Sequence, residues 1–172
     1  MIFLGISSVY AQTPTEYLQN GNDSLKAGDF NQAVYEYTKA IDINPNLAKA
    51  FDNRGVAFAK QGYLAPAISD FTMAIAIDPK DSEAYNNRGH AYAVQGDLTQ
   101  AIRDYSKAIK INPVYLKAYN NRAQVFYSQK EFDKAWADVF KVERLGGAID
   151  HDFYQELKKA SKPIIHNKTF IN

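Results

Sequence analysis

The sequence predicts an all-α solenoid of antiparallel helix pairs, and three observations predict it. Its features recur at a spacing of 34 residues, most clearly from Ala84 to Pro113. Within each period the apolar residues follow helical spacing twice, around a short glycine-containing turn. A proline then closes the period, at Pro45, Pro79 and Pro113. Proline cannot continue a helical backbone ladder, and it disfavours helical geometry in the residue before it.

The columns justify each element in turn. Small residues recur in phase at Gly55 and Gly89, at Gly28, Gly62 and Gly96, and at Ala33, Ala67, Ala101 and Ala135. Aromatics keep the same phase: Tyr17, Phe51, Tyr85 and Tyr119; then Phe58, Tyr92 and Phe126; then Tyr37, Phe71 and Tyr105. In the third unit Tyr85, Gly89 and Tyr92 form one stripe that stops at Gly96, a residue suited to a left-handed helix end. The second helix opens near Thr99 as N-cap and buries Ala101, Ile102, Tyr105, Ala108 and Ile109. Asn31 and Asp133 are the corresponding expected caps, and Pro66 falls at about the first helical position. Helices are predicted near 14–27, 30–43, 47–61, 64–77, 81–95, 98–111, 115–129 and 132–145. Close helix approach needs short side chains, so Gly89, Ala101 and Ala108 mark the packing seam and the aromatic columns the core.

An aromatic, a glycine, a second aromatic, an in-phase alanine, a third aromatic and a closing proline at this period resemble the tetratricopeptide repeat. The resemblance covers about residues 14–147, as units near 14–47, 48–81, 82–115 and 116–149. The last is degenerate, with Ala123 for the glycine, Val139 for the aromatic and Gly147 for the proline. The resemblance implies a right-handed superhelix in which neighbouring hairpins complete one core. After Gly146 and Gly147, Ile149, Phe153 and Leu157 share one helical face opposite Gln155, Glu156, Lys158 and Lys159. A capping helix over 150–162 is predicted, stopped by Pro163, with 163–172 left unassigned.

Composition narrows function. With 46% hydrophobic and 23% charged residues the chain is globular, and a net charge of +1 gives no general pull toward nucleic acid or an anionic membrane. The absence of cysteine excludes disulfides and thiol catalysis. Residues 1–11, MIFLGISSVYA, resemble the apolar region and cleavage site of a secretory signal, giving mature protein from Gln12 in the periplasm or outside the cell. No Lys or Arg precedes Lys26, as a full signal would require, so either the start is truncated or the segment is a sticky N-terminal tail, and the alternative location is cytoplasmic. The run is too short to span a bilayer. His90, His151 and His166 are scattered without metal-ligand spacing, and the glycines are turn and packing residues. No catalytic residue, metal or cofactor is expected.

Two constellations remain. Arg54, Arg88 and Arg122 stand where the family's pattern has leucine, and Glu36, Asp70, Asp104 and Asp138 form a column in the second helices. Structural ion pairs are expected, preferably across the joint between units, Arg54 with Glu36 and Arg88 with Asp70. Opposite the aromatic stripe of the first helices lie Asn22; Lys49, Asp52, Asn53 and Lys60; Glu83, Asn86, Asn87, His90 and Val94; and Lys117, Asn120, Asn121, Gln124 and Tyr127. In the family this polar inner wall grips an extended peptide or a helix. Asn53, Asn87 and Asn121 form an in-phase ladder, similar to those whose amides hold peptide backbone, and these amides are expected to be exposed.

The family's clamp for acidic C-termini, two Lys, two Asn and one Arg from three units, is mostly missing. On the first three units only Asn22 and Asn53 match, with Leu18, Glu83 and Asn87 in place of cations. On the last three Asn87 and Lys117 match, while Asp52, Val56 and Asn121 do not. The expected function is a non-enzymatic interaction module holding a protein segment in its concave groove, as a monomer or weak homo-oligomer. The alternative is a self-assembling scaffold that acts through its convex face and ends.

Overall fold

The computed structural model describes residues 12–161, so the expectations for residues 1–11, Pro163 and the tail lie outside the described residues. Nine helices and no strand occur among the described residues: α1 (Pro14–Ala27), α2 (Phe30–Ile43), α3 (Ala48–Lys60), α4 (Leu64–Ile77), α5 (Ser82–Gln95), α6 (Leu98–Ile111), α7 (Leu116–Ser128), α8 (Phe132–Arg144) and α9 (His151–Ala160). Consecutive pairs form hairpins, and each second helix packs on the first helix of the next unit. The first helices α1, α3, α5 and α7 also touch one another in sequence, which places them on the inside of the curve.

The helix starts differ from the expected caps by two residues. Asp29 and Asp97 are the N-caps, accepting from the backbone N–H of Gln32 and Gln100, while Asn31 and Thr99 already lie in the second helical position. In the fourth unit Glu131 occupies the cap without a side-chain cap bond, and Asp133 is likewise helical. The reason is the turn glycine. Gly28 and Gly96 close the first helix in left-handed geometry at φ 80° and 93°, and the capping aspartate follows at once, leaving no spare residues. Pro66 sits third in α4, still within the turn whose N–H groups have no helical partner. The fourth unit has Lys130 at the in-phase turn position, at φ 61°, a geometry that costs a side-chain-bearing residue roughly 1–2 kcal/mol.

Each hairpin closes on a contact between a small residue and a ring. A Cβ built on Gly55 would lie 2.8 Å from Cε1 of Phe71 and 3.2 Å from the carbonyl oxygen of Ala67; one on Gly21 would meet Tyr37, and one on Gly89 Tyr105. The fourth unit resolves the same constraint otherwise. There Ala123 fills the small position and Val139 replaces the ring, both fully buried in one cluster with Phe126 and Ala135. The added methyl and the lost ring compensate.

The C-terminal helix covers the last hairpin as its pattern predicted. Leu157 is fully buried among Ala123, Phe126, Trp136 and Val139, with Ile149 and Phe153 packed beside it. Tyr154 adds an edge-on contact to Trp136 at 5.2 Å, and the Trp136 indole donates to the buried Ser161 hydroxyl at 2.8 Å. The polar residues Gln155, Glu156, Lys158 and Lys159 face outward. Asp150 caps the helix by accepting from Phe153 N–H.

The hairpin contact predicts a sign change. Gly55→Ala should lower stability by about 1 kcal/mol, because overpacking of roughly 1–3 kcal/mol exceeds the gain of about 1 kcal/mol in helix propensity. In a Phe71→Val background, which reproduces the fourth unit, the same substitution should be neutral or stabilising. Urea titration of the four proteins measures both effects, and destabilisation of equal size in both backgrounds would contradict the contact.

Candidate functional site

The Arg and Asp columns meet inside each unit, not across the joint. Arg54 Nε and Nη2 donate to the two oxygens of Asp70 at 2.8 and 2.9 Å; Arg88 grips Asp104 at 2.7 and 2.9 Å, and Arg122 grips Asp138 at 2.8 and 2.7 Å. The expectation of joint pairing is therefore corrected. Asp70 and Thr72 lie two residues apart, about 200° around a helix, so the carboxylate turns back to its own hairpin and the hydroxyl faces the next unit. The remaining guanidinium N–H crosses the joint to that hydroxyl, from Arg54 to Thr38, from Arg88 to Thr72 and from Arg122 to Ser106. Burial opposes the Arg88 charge, but the Asp104 hydrogen bonds outweigh it and raise its pKa. Glu36 has no arginine: Asn20 stands in the Arg column, and Gln32 Nε2 donates to one Glu36 oxygen at 2.6 Å.

The asparagine ladder is a joint as well as a wall. Asn53 Nδ2 donates to Asn22 Oδ1 at 2.7 Å, Asn87 Nδ2 to Asp52 Oδ1 at 3.1 Å, and Asn121 Nδ2 to Asn86 Oδ1 at 3.0 Å. Each bond ties one first helix to the preceding one. Asn22 Oδ1 also accepts from the Tyr37 hydroxyl, whose pKa burial pushes up to about 12. The three ladder residues are half-buried rather than exposed, and Asp52 and Asn86 are buried, at 2% and 5% exposure, so neither lines open surface. This corrects the expectation of a fully free ladder. Among the described residues the three ladder amide oxygens, Asn53 Oδ1, Asn87 Oδ1 and Asn121 Oδ1, accept no side-chain or capping hydrogen bond.

The joint between the second and third units is the only one of the three with an ionisable partner. Asp52 stands where the next joint uses Asn86 and the first has Leu18. Burial pushes the Asp52 carboxyl up to about 6, against the hydrogen bond from Asn87 and the charge of Lys49. Lys49 Nζ lies 2.9 Å from Glu83, 3.5 Å from Asp81 and 3.9 Å from Asp52, one cation among three carboxylates. Burial opposes its charge, but the Glu83 bond and the surrounding carboxylates raise its pKa. The nearby Tyr115 hydroxyl is pushed up to about 12, by burial first and then by Glu83, Asp52 and Asp81. Asp81 and Tyr115 were absent from the predicted wall; each is the N-cap residue of its helix.

Further along the wall, His90, Ala93 and Val94 of α5, Leu98 and Tyr105 of α6, and Asn121, Gln124, Val125 and Ser128 of α7 surround a cleft of about 410 Å³. It brings together His90, Asn121 and Gln124 from the predicted set, with Val94 59% exposed at its edge. Lys60, Glu83 and Lys117 are exposed on the same wall. The fourth unit's share is partly covered by the C-terminal segment. Asn120 Nδ2 donates to the Ala148 carbonyl at 3.5 Å, and Tyr127 packs edge-on against Phe153 at 5.6 Å, so Tyr127 belongs to the cap contact and not to the open wall. Among the described residues no group of three side chains has metal-ligand geometry, and no helix is long and apolar enough to cross a membrane.

The comparisons with known proteins agree with this architecture. A family model described as tetratricopeptide repeat matches residues 82–115, and a second, described as TPR repeat, matches residues 21–62. The first TPR of Spaghetti (RPAP3), solved bound to the HSP90 peptide SRMEEVD, superposes with a TM-score of 0.67 at 27% identity, over 71% of this chain and 97% of that one. The chain carries tetratricopeptide repeats. A MamA crystal structure superposes over 93% of this chain and 98% of its own, with a TM-score of 0.70 at 22% identity, a likeness of fold alone. Among curated relatives, human small glutamine-rich tetratricopeptide repeat-containing protein alpha is 45% identical over 42 residues, 24% of this chain and 13% of its own length. Hsp70-Hsp90 organizing protein 1 of Arabidopsis thaliana is 40% identical over 47 residues, 27% of this chain and 8% of its own. The chain thus spans only a small part of the curated relatives it matches.

The Asp52 joint predicts a pH dependence with a defined sign. Its folded pKa lies above the ordinary value of 3.8, so the stability of the neutral form is fully present below about pH 4 and lost as pH rises through about 6. Asp52→Asn, which copies the Asn86 joint, should match the wild type near pH 4 and exceed it by about 1–3 kcal/mol at pH 7.5. Chemical denaturation of both proteins from pH 4 to 8 measures the difference, and a constant offset would contradict the assignment.

Proposed function

We propose that this tetratricopeptide repeat protein is a non-enzymatic interaction module that holds a segment of a protein partner against the wall of its first helices. The observation that carries the reading is the cleft between α5 and α7, where His90, Gln124 and Asn121 surround apolar Val94, Ala93 and Val125. An apolar pocket with a few convergent polar groups is the usual form of a recognition site. The solved relative with a bound peptide supports the class of ligand, a protein segment, and not its sequence.

His90 and Gln124 are exposed, so replacing both with Ala should leave the fold intact. Partner capture by the immobilised chain should fall about tenfold or more, whereas Arg103→Ala with Lys110→Ala, on the outer side of α6, should leave capture unchanged. Quantitative mass spectrometry of captured proteins reads both.

The scaffold reading has its own observation. Tyr35, Met73 and Phe140 on the second helices are 53%, 45% and 49% exposed. If capture ignores the groove pair and light scattering shows a mass that falls on Phe140→Ser, that reading replaces the first.

We also propose that the chain is exported, on the strength of the apolar run at residues 1–11. Expressed in a bacterial host from Met1, it should be recovered from the periplasm with Gln12 as its first residue. N-terminal sequencing that returns Met1 would refute this.

A further inference from the structure

The wall offers a partner acceptors along the asparagine ladder and at the start of α5. Asn53, Asn87 and Asn121 each donate one amide N–H across a joint, and among the described residues their amide oxygens accept no side-chain hydrogen bond. At the start of α5, Asp52, Asp81 and Glu83 outnumber Lys49 three to one, and Glu83 is about half exposed. The nearest other wall lysine, Lys117, stands one first helix away in phase with Glu83. Among the described residues Lys117 makes no ion pair with Asp52, Asp81 or Glu83, whereas Lys49 reaches all three. Lys60 lies farther, at the opposite end of α3.

Resting on the groove reading above, we propose that the groove selects its partner through the partner's own donors. The ligand is an extended segment whose Lys or Arg meets Asp81 and Glu83, whose backbone N–H groups meet the Asn87 and Asn121 amide oxygens, and whose aliphatic side chain enters the cleft beside Val94. An acidic C-terminus, such as the peptide bound by the solved relative, brings carboxylates to a wall of acceptors and is disfavoured. The helix fixes the spacing of the motif. Glu83 and Val94 are eleven residues apart on α5, about 16 Å at the helical rise, which an extended chain covers in about five residues.

The test uses the full chain and a displayed library of random dodecapeptides. Selected peptides should be enriched in a Lys or Arg about five positions from Leu, Ile, Val or Met. Binding of a synthetic peptide from that pool should weaken about tenfold or more on Val94→Glu and again on Glu83→Lys, both exposed positions. SRMEEVD should bind at least tenfold more weakly than the selected peptide. Enrichment of acidic or uncharged peptides that still depends on Val94 would overturn this inference while leaving the groove as the binding face. Enrichment indifferent to Val94→Glu, or none above background, would overturn both.

Discussion

The close approach of the first helix to a ring on the second sets the register of everything else in a unit. Gly55 lies against Phe71 and Gly89 against Tyr105, a separation of sixteen residues. One residue earlier on each helix, at the same separation, Arg54 meets Asp70 and Arg88 meets Asp104. One residue before the arginine stands the ladder asparagine, Asn53 or Asn87. Successive residues on a helix point about 100° apart, so the run Asn-Arg-Gly directs one side chain to the neighbouring first helix, one into the hairpin and one toward the ring. A bulkier residue at the glycine would separate the helices and pull the guanidinium fork away from its carboxylate.

The fork then links hairpin to hairpin. With its side chain only 18% exposed, Arg54 holds Asp70 in two parallel bonds and uses its third nitrogen on Thr38 of the preceding unit. A partly buried ion pair of this kind contributes less net stability than its Coulomb attraction suggests, because both charges lose water. Its geometry is demanding, however, since all three guanidinium nitrogens must find fixed partners at once. The seam between units is thus specified by direction rather than by hydrophobic area alone.

The helices were legible in the sequence because they depend on local periodicity and punctuation. Every predicted boundary from α1 to α8 falls within a residue of the observed one. The caps were misread at Thr99, Asn31 and Asp133 for a local reason: each capping residue directly follows the left-handed turn residue, Gly96, Gly28 or Lys130, and a polar residue two positions later offers the same chemistry. Partnerships at long range were less legible. Whether Asp70 faces its own hairpin or the next depends on side-chain direction around the helix, which the spacing of the columns leaves open. The same limit applied to the wall. Asp52 and Asn86 read as groove residues because they adjoin the ladder, yet each turns under the following helix to accept from its asparagine. Val94, His90 and Gln124 were readable as surface, but the apolar floor between them also draws on one further helix, α6, through Leu98 and Tyr105.

Joint and groove share the same side chains, and that has a consequence for recognition. The spacing of the first helices is set by short amide-to-amide and amide-to-carboxylate bonds, not by the loops, so the acceptors on the wall repeat at a fixed interval of roughly 8–10 Å. A ligand that fits this interval meets groups already held in place, and little side-chain freedom is lost on binding. The second joint differs from the third by a single charge. Asp52 carries a buried carboxylate where Asn86 carries an amide, and the desolvation cost at Asp52 is only partly offset by Asn87 and Lys49. The joint with the ionisable acceptor therefore lies beside Asp81 and Glu83. A cation brought there by a partner would act on both, since positive charge beside Asp52 favours its ionised form and strengthens the bond from Asn87. Under the proposed groove reading, binding at the surface and cohesion between units would be coupled through one carboxylate.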